Sequence, residues 1–160
     1  MKKSILAVLL TLISFASLAG EEIIVHSSSM RASQVVDEFT GKVETCGLYI
    51  GRSNRKEAWM LAINSGNGHA LVGNAGNYNA SGYMMKIDDG DIYEKGSKSR
   101  GGDRVFGTLT DNMMNEISKG KKIIIRAYPE NRYADTLTST FDLSGSTKVV
   151  QAYKDCVSGL

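Results

Sequence analysis

The sequence predicts one α+β domain, built mainly from an antiparallel β-sheet or sandwich, with two short helices, the second of them C-terminal. Short β-branched and aromatic runs recur along the chain between polar, glycine-containing segments, as is typical of strands joined by turns. Apolar residues at helical spacing stand out only in 109–117 and 149–157. No repeat, linker or change of composition divides the chain, so we expect a single domain.

The predicted strands follow the β-branched runs. Residues 34–39 fit either a strand or a helical turn, and Gly41 ends that segment. Asp89-Gly90 lies between two apolar runs, and this pair predicts a hairpin because glycine accepts positive φ. The predicted strands are 21–25, 43–50, 58–63, 70–72, 83–87, 91–94, 121–128 and 136–143.

Two segments carry the apolar stripe of an amphipathic helix. The first has Thr110 or Asp111 as its N-cap and Gly120 as its C-terminal stop, and the second has Ser146 as its cap. The stripes comprise Leu109, Met113 and Ile117 in the first helix, and Val149, Val150, Tyr153, Cys156 and Val157 in the second.

Residues 1–19 have the pattern of a cleavable signal peptide. Lys2 and Lys3 precede an uncharged apolar run from Ile5 to Phe15, and small residues at Ser17 and Ala19 suit signal peptidase. The run is too short to span a membrane, which takes about 20 residues. We therefore expect export to a bacterial periplasm without a membrane anchor, and a mature domain of residues 20–160.

The charge balance excludes a nucleic-acid-binding function. Cleavage after Ala19 removes two lysines and leaves seventeen basic and seventeen acidic residues. A formally neutral chain offers no general attraction for polyanions.

Cys46 and Cys156 are the only cysteines. An even count in an exported protein predicts one disulfide, which would tie the last helix to an early strand. A catalytic thiol is the alternative, but no obvious partner histidine accompanies either cysteine.

No motif predicts a metal, a cofactor or a catalytic centre. Asp88, Asp89 and Asp91 suggest a calcium loop, but the positions that need glycine and glutamate hold Glu94 and Arg100. We interpret these carboxylates as parts of an exposed turn.

The two histidines, His26 and His69, show no zinc-ligand spacing. His26 precedes three serines at 27–29, but no Gly-x-Ser-x-Gly elbow accompanies them. A small hydrolase that uses a histidine with a serine or a carboxylate remains the less favoured alternative.

The segment from Lys95 to Arg104 is predicted to be a mobile basic loop. Lys95, Lys98, Arg100 and Arg104 would meet an acidic or anionic group of a partner. The alternative is a solvated loop with no binding role.

Residues 83–156 resemble, in order, the periplasmic type VI secretion-associated accessory family, and their ending is similar to that of the invasion-associated locus B family. The motifs that carry the resemblance are Asp88-Asp89-Gly90, the helix ending at Gly120 with the strand after it, and Phe141-Asp142-Leu143-Ser144-Gly145 before the helix that closes on Cys156. In this sequence Phe141 and Leu143 alternate with Asp142 and should face the core, while Ser144-Gly145 should break the strand.

The resemblance implies an exported β-rich protein without an established catalytic centre. We therefore expect a non-enzymatic accessory or binding protein without a cofactor, whose partner is an envelope protein or a cell-wall component. An inhibitor of a wall-degrading enzyme, which would present the basic loop to an acidic cleft, is a more specialised alternative.

Overall fold

Eleven strands and two helices form within the residues that the computed structural model describes, which are 20–51, 58–64, 70–72, 80–96, 98–100, 103–133 and 135–160. The predicted signal peptide, 1–19, lies outside them. In chain order the elements are β1 (Glu21–His26), β2 (Met30–Val36), β3 (Val43–Gly51), β4 (Ala58–Asn64), β5 (Ala70–Val72), β6 (Ala80–Ile87), β7 (Ile92–Gly96), β8 (Lys98–Arg100), β9 (Asp103–Thr108), α1 (Asp111–Lys119), β10 (Lys122–Pro129), β11 (Leu137–Asp142) and α2 (Ser146–Ser158).

The strands pair antiparallel in two sheets. The large sheet has the order β1-β2-β3-β4-β5-β9-β8, and the small sheet has the order β11-β10-β6-β7. β1 and β8 are therefore the edges of the large sheet, and β7 and β11 are the edges of the small one. The predicted α+β class with two helices is confirmed.

One hydrophobic cluster joins both sheets and both helices into a single domain. Its members alternate along the strands, so each sheet contributes one face. The large sheet supplies Ala32, Leu48 and Ile50, the small sheet supplies Met85, Ile123, Ile125 and Phe141, and the helices supply Met114, Ile117, Val149 and Tyr153.

The disulfide between Cys46 and Cys156 is present, with the two Cα atoms 6.0 Å apart. It links β3 to α2, as the sequence predicted. Since α2 packs on β1, β2 and β3, the bond fixes the last helix against the first part of the chain.

Thr110 is the N-cap of α1, and its hydroxyl oxygen accepts a hydrogen bond from the Met113 amide at 3.3 Å. Gly120 ends the helix as predicted, but for a different reason. Its φ is −70°, which any residue adopts. A Cβ at Gly120 would lie 2.7 Å from Ile87 Cγ2 and 3.0 Å from the Glu116 carbonyl oxygen, so the glycine is required by close packing and not by a left-handed backbone.

The prediction that Ser146 caps α2 is wrong. Gly145 is the N-cap, in a left-handed conformation with φ +79°, and Ser146 is the first helical residue. The Ser146 and Thr147 hydroxyls instead donate to the Ser118 carbonyl oxygen at 3.2 and 2.7 Å. They satisfy a carbonyl in the last turn of α1, where such groups have no partner within the helix, and so join the two helices.

The predicted hairpin joins β6 to β7 through the turn at 88–90, but Asp88, not Gly90, has the positive φ, at +47°. Aspartate tolerates this conformation better than most residues do. The Asp88 carboxylate also accepts hydrogen bonds from the amides of Lys121 and Lys122, at 2.9 to 3.1 Å. The turn is therefore clamped to the start of β10.

Several segments differ from the sequence prediction, which includes neither β8 nor β9 nor the first residues of β2 from Met30. The ambiguous segment 34–39 is divided, since β2 ends at Val36 and a turn follows. β6 begins at Ala80, three residues before the predicted strand. In the described part of the chain no helix is long and apolar enough to cross a membrane.

Candidate binding surface

The basic segment predicted as a mobile loop is not a loop. Lys95 belongs to β7, at the edge of the small sheet, whereas Lys98 and Arg100 belong to β8 and Arg104 to β9, at one edge of the large sheet. In the β8–β9 ladder Arg104 pairs with Ser99. The segment alternates short polar residues with charged ones and lacks a hydrophobic run, so its pairing was not visible in the sequence. Its role in partner binding remains a prediction.

Exposed apolar residues occur instead on β1 and in the turn after β2. Ile23 is 60% exposed, Ile24 is 38% exposed, and Phe39 in the turn between β2 and β3 is 97% exposed. Glu21 pairs with Val35 at the same end as the β2–β3 turn. Single exposed apolar residues are ordinary on protein surfaces, but several at one place indicate contact with a partner.

β1 is the free edge of the large sheet in the described structure, and it carries a β-bulge. Ile23 pairs with Ser33 and Val25 pairs with Ala32, so Ile24 is an extra residue without a register partner in β2. A bulge re-aims the side chains of an edge strand. Val25 packs against the core while Ile23 and Ile24 remain exposed.

Polar contacts hold the start of β1 in place. The Glu21 carboxylate accepts a hydrogen bond from the Ser33 hydroxyl, and the Glu22 carboxylate accepts one from the Gln34 side-chain amide at 3.1 Å. Both donors are neutral side chains, and the two bonds fix the positions of the glutamates.

Tyr49 covers this polar cluster on the outer face of the sheet. Its ring lies over Gly47, where a Cβ would be only 2.6 Å from Tyr49 Cε2, and the Arg31 guanidinium lies 4.5 Å from the ring centroid. Burial, followed by the neighbouring Glu21 carboxylate, raises the pKa of the Tyr49 hydroxyl to about 12. Tyr49 therefore stays neutral and supports the surface without acting as a base.

The turn that carries Phe39 is well organised. The Asp37 carboxylate accepts hydrogen bonds from the Phe39 amide at 3.1 Å, the Thr40 amide at 2.6 Å and the Thr40 hydroxyl at 2.7 Å. These bonds, led by that of the Thr40 hydroxyl, lower the pKa of Asp37. Gly41 completes the turn at φ +68°. Phe39 is thus presented to solvent by a defined turn.

Carboxylates are frequent in the segments that carry the exposed apolar residues. Lys42 is the one basic residue among 37–44, and β1 begins with two glutamates. We call this surface the acidic apolar end; it comprises Ile23, Ile24 and Phe39 with Glu21, Glu22, Asp37, Glu38 and Glu44. Sequence reasoning did not find it, although the paired glutamates before two isoleucines and the phenylalanine beside Gly41 were visible.

The residues of the predicted C-terminal motif have structural contacts. Phe141 is 2% and Leu143 1% exposed, whereas Asp142 is exposed. The Asp142 carboxylate accepts hydrogen bonds from the Ser144 amide and hydroxyl at 3.0 and 2.8 Å, and from the Ser28 hydroxyl at 3.2 Å. These bonds, first those of Ser144, lower the pKa of Asp142. The motif therefore joins the β1–β2 turn to the start of α2. In the other motif, Asp89 and Gly90 are exposed in the β6–β7 turn.

Of the two histidines of the hydrolase alternative, the described structure contains His26. His26 is exposed and pairs with Arg31 in the β1–β2 register, while His69 lies outside the described residues. The Ser27 hydroxyl accepts a hydrogen bond from the Met30 amide, and the Ser28 hydroxyl donates to Asp142. Within the described residues no group of three or more His, Cys, Asp or Glu could hold a metal ion.

A second polar cluster connects β7 to α1. The Tyr93 hydroxyl donates to the Glu116 carboxylate at 2.8 Å, and the Asn112 amide donates to the same carboxylate at 3.1 Å. The hydrogen bond to Glu116 is the main reason why the pKa of Tyr93 is raised. This cluster fastens the edge of the small sheet to a helix.

Comparisons with known proteins show no family. No family model and no curated protein matches the chain. Among solved structures, the crystal structure of invasion associated protein B from Bartonella henselae is similar, with 14% sequence identity and a TM-score of 0.42, over 81% of this chain and 84% of that chain. A likeness at this level carries no functional argument. The type VI secretion-associated resemblance is supported by none of these comparisons.

Proposed function

We propose that this protein is a non-enzymatic binding protein of the bacterial periplasm, and that its partner is another protein of the cell envelope. The observation that carries the proposal is the acidic apolar end, where Ile23 and Ile24 are exposed on an anchored strand and Phe39 is exposed on a defined turn. Fixed apolar side chains within a polar rim have the anatomy of a protein–protein contact.

The proposed compartment is supported by the disulfide and by the leader pattern of residues 1–19. Disulfides persist in oxidising compartments such as the periplasm. A place in a type VI secretion-associated assembly is a finer proposal, which rests only on the resemblance of residues 83–156.

A binding role is favoured over hydrolysis by the contacts of the serines. Two serines beside His26 have hydroxyls engaged in structural hydrogen bonds, and Ser33 is buried beneath the sheet surface with its hydroxyl on Glu21. A nucleophile must reach its substrate and be activated by a nearby base, and these hydroxyls are committed to other contacts.

A photo-crosslinking residue at position 39, in protein expressed with its own leader in a bacterial host, tests this function. We expect an envelope protein to be captured from position 39 and not from position 92. Ile92 is a suitable control because it is an exposed apolar residue, to the same degree as Ile23, but it lies on the other sheet. The captured protein would then be purified and titrated against the wild type and a Phe39→Ser variant. Identical capture from both positions, or none from position 39, would contradict the proposal.

The predicted role of the basic segment is tested in the same experiment. A Lys95→Glu variant changes an exposed charge of β7. If the basic residues bind the partner, this variant weakens association in a salt-dependent way without unfolding the protein. If the acidic apolar end alone binds it, Lys95→Glu leaves the affinity unchanged.

A further inference from the structure

We propose that β1 accepts an extended segment of the partner as an additional strand, and that this segment alternates apolar with basic residues. The inference rests on the proposed function and specifies the chemistry of the partner. β1 combines a free edge, exposed apolar side chains and nearby acidic residues.

The free edge supplies main-chain hydrogen bonds. β1 is the terminal strand of the large sheet in the described structure, with β2 on one side. An edge strand presents amide and carbonyl groups that can pair with an incoming extended segment, and this is a common mode of peptide recognition. β1 has six residues, which is enough for such a segment.

The side chains on β1 favour an apolar partner at its centre. Ile23 and Ile24 are consecutive and both exposed, because the bulge interrupts the alternation that would otherwise bury one of them. Val25 is packed against the core and so supports the strand from beneath. Phe39 adds a further exposed apolar side chain in the β2–β3 turn.

The charge favours basic residues in the partner. The first two residues of β1 and the segment 37–44 together contain five acidic residues and one lysine. Glu21 and Glu22 are exposed, and the side chains that donate hydrogen bonds to them, those of Ser33 and Gln34, carry no charge. Opposite charges across a contact set register and partner choice.

A second copy of this chain fits this edge less well. Two copies joined through β1 would bring two acidic surfaces of the same kind together, and like charges in a contact are costly. The favoured occupant is therefore a basic, apolar segment of a different protein.

The test uses protein purified from the periplasm and two capped peptides. One peptide has about ten residues of alternating lysine and valine, long enough to span an average strand, and its matched control has glutamate in place of lysine. Binding is followed by NMR titration, and pairing is followed by hydrogen exchange of the β1 amides. Ile23→Lys is the test variant, and Ile92→Lys is its control because the two isoleucines are 60% and 58% exposed.

We expect the lysine peptide to slow exchange of β1 amides about tenfold at saturation and the glutamate peptide not to bind. Ile23→Lys should weaken binding about tenfold, and Ile92→Lys should leave it unchanged. Added salt should weaken binding of the lysine peptide.

Three outcomes would overturn the inference: binding of the lysine peptide without protection of β1, equal binding of both peptides, or a dimer of the free protein whose β1 amides are already protected. The last result would identify a second copy as the occupant. If position 39 still captures an envelope protein while the peptide fails to protect β1, the binding mode is wrong and the proposed function stands.

Discussion

The edge strands β1 and β7 expose an isoleucine to almost the same extent, yet their surroundings differ. β7 pairs with β6 in regular register over five residues, and its Tyr93 is fastened to Glu116 of α1. β1 carries a bulge, its Glu21 side chain bonds to Ser33 of the neighbouring strand, and it has a second exposed isoleucine beside the first. The exposure of one side chain therefore does not define a binding surface, whereas its neighbours and their charge do.

The two sheets are also stabilised differently. The small sheet is held by packing: Phe141, Leu143 and Ile87 are buried, and Ile87 and Leu143 lie close to Gly120 at the end of α1. The large sheet is joined to α2 by the disulfide in addition to packing. The predictions below test this difference, beginning with the largest expected effect.

Phe141→Ala should destabilise the protein by about 3–5 kcal/mol, because removal of an almost fully buried aromatic side chain leaves a cavity in the core. The measurement is denaturant unfolding. Asp142→Ala is the matched control on the exposed face of the same strand, and its effect should be much smaller because it removes only surface hydrogen bonds. Equal losses from the two variants would contradict the packing of the small sheet.

Replacing both Cys46 and Cys156 with alanine should cost about 2–5 kcal/mol, as for other small exported domains. The bond closes a sequence separation of 110 residues, which constrains the unfolded chain strongly. Non-reducing mass spectrometry of the wild type should show no free thiol, and urea unfolding gives the difference in stability. A loss well below 1 kcal/mol would show that packing alone holds α2 on the large sheet.

Gly120→Ala should destabilise the protein by about 1–3 kcal/mol, because overpacking forces neighbouring atoms to move. The new methyl group would meet Ile87 Cγ2 at 2.7 Å and the Glu116 carbonyl oxygen at 3.0 Å. Gly96→Ala in β7 is the control, since a Cβ there has nothing within 4 Å. Thermal unfolding compares them, and a neutral Gly120→Ala would show that the end of α1 adapts easily.

The smallest expected effect is that of acid on Asp88. Protonation of its carboxylate should lower the free energy of unfolding by weakening the contact between the β6–β7 turn and β10. Hydrogen bonds from the Lys122 and Lys121 amides lower the pKa of Asp88 below its ordinary value of 3.8. A lowered pKa in the folded state means that the stabilisation is present above pH 3.8 and is lost as the pH falls through the folded pKa. Stability measured from pH 6 to pH 2 should therefore fall less steeply in Asp88→Asn. Identical pH profiles would show that the clamp on β10 does not depend on the charge.

The sequence by itself determined the fold class, the two helices, most strands and the disulfide. These features depend on local signals: β-branched runs, apolar spacing along 109–117 and 149–157, the Thr110 cap, and the pairing of the only two cysteines. Each of the first three signals acts within a few residues of the chain, and two cysteines allow only one intramolecular pairing. These features could therefore be predicted without knowing which distant residues are neighbours in the fold.

Only the tertiary structure decided the roles of several residues that the sequence singled out. Gly120 is required by packing against Ile87 rather than by backbone conformation, and Ser146 bonds to α1 rather than capping α2. The four basic residues of 95–104 lie in strands. The position of the acidic apolar end depends on strand pairing, which places Glu21 beside Val35, close to the turn that carries Phe39. Contacts between residues far apart in sequence depend on pairing and packing, and a local pattern carries no record of them.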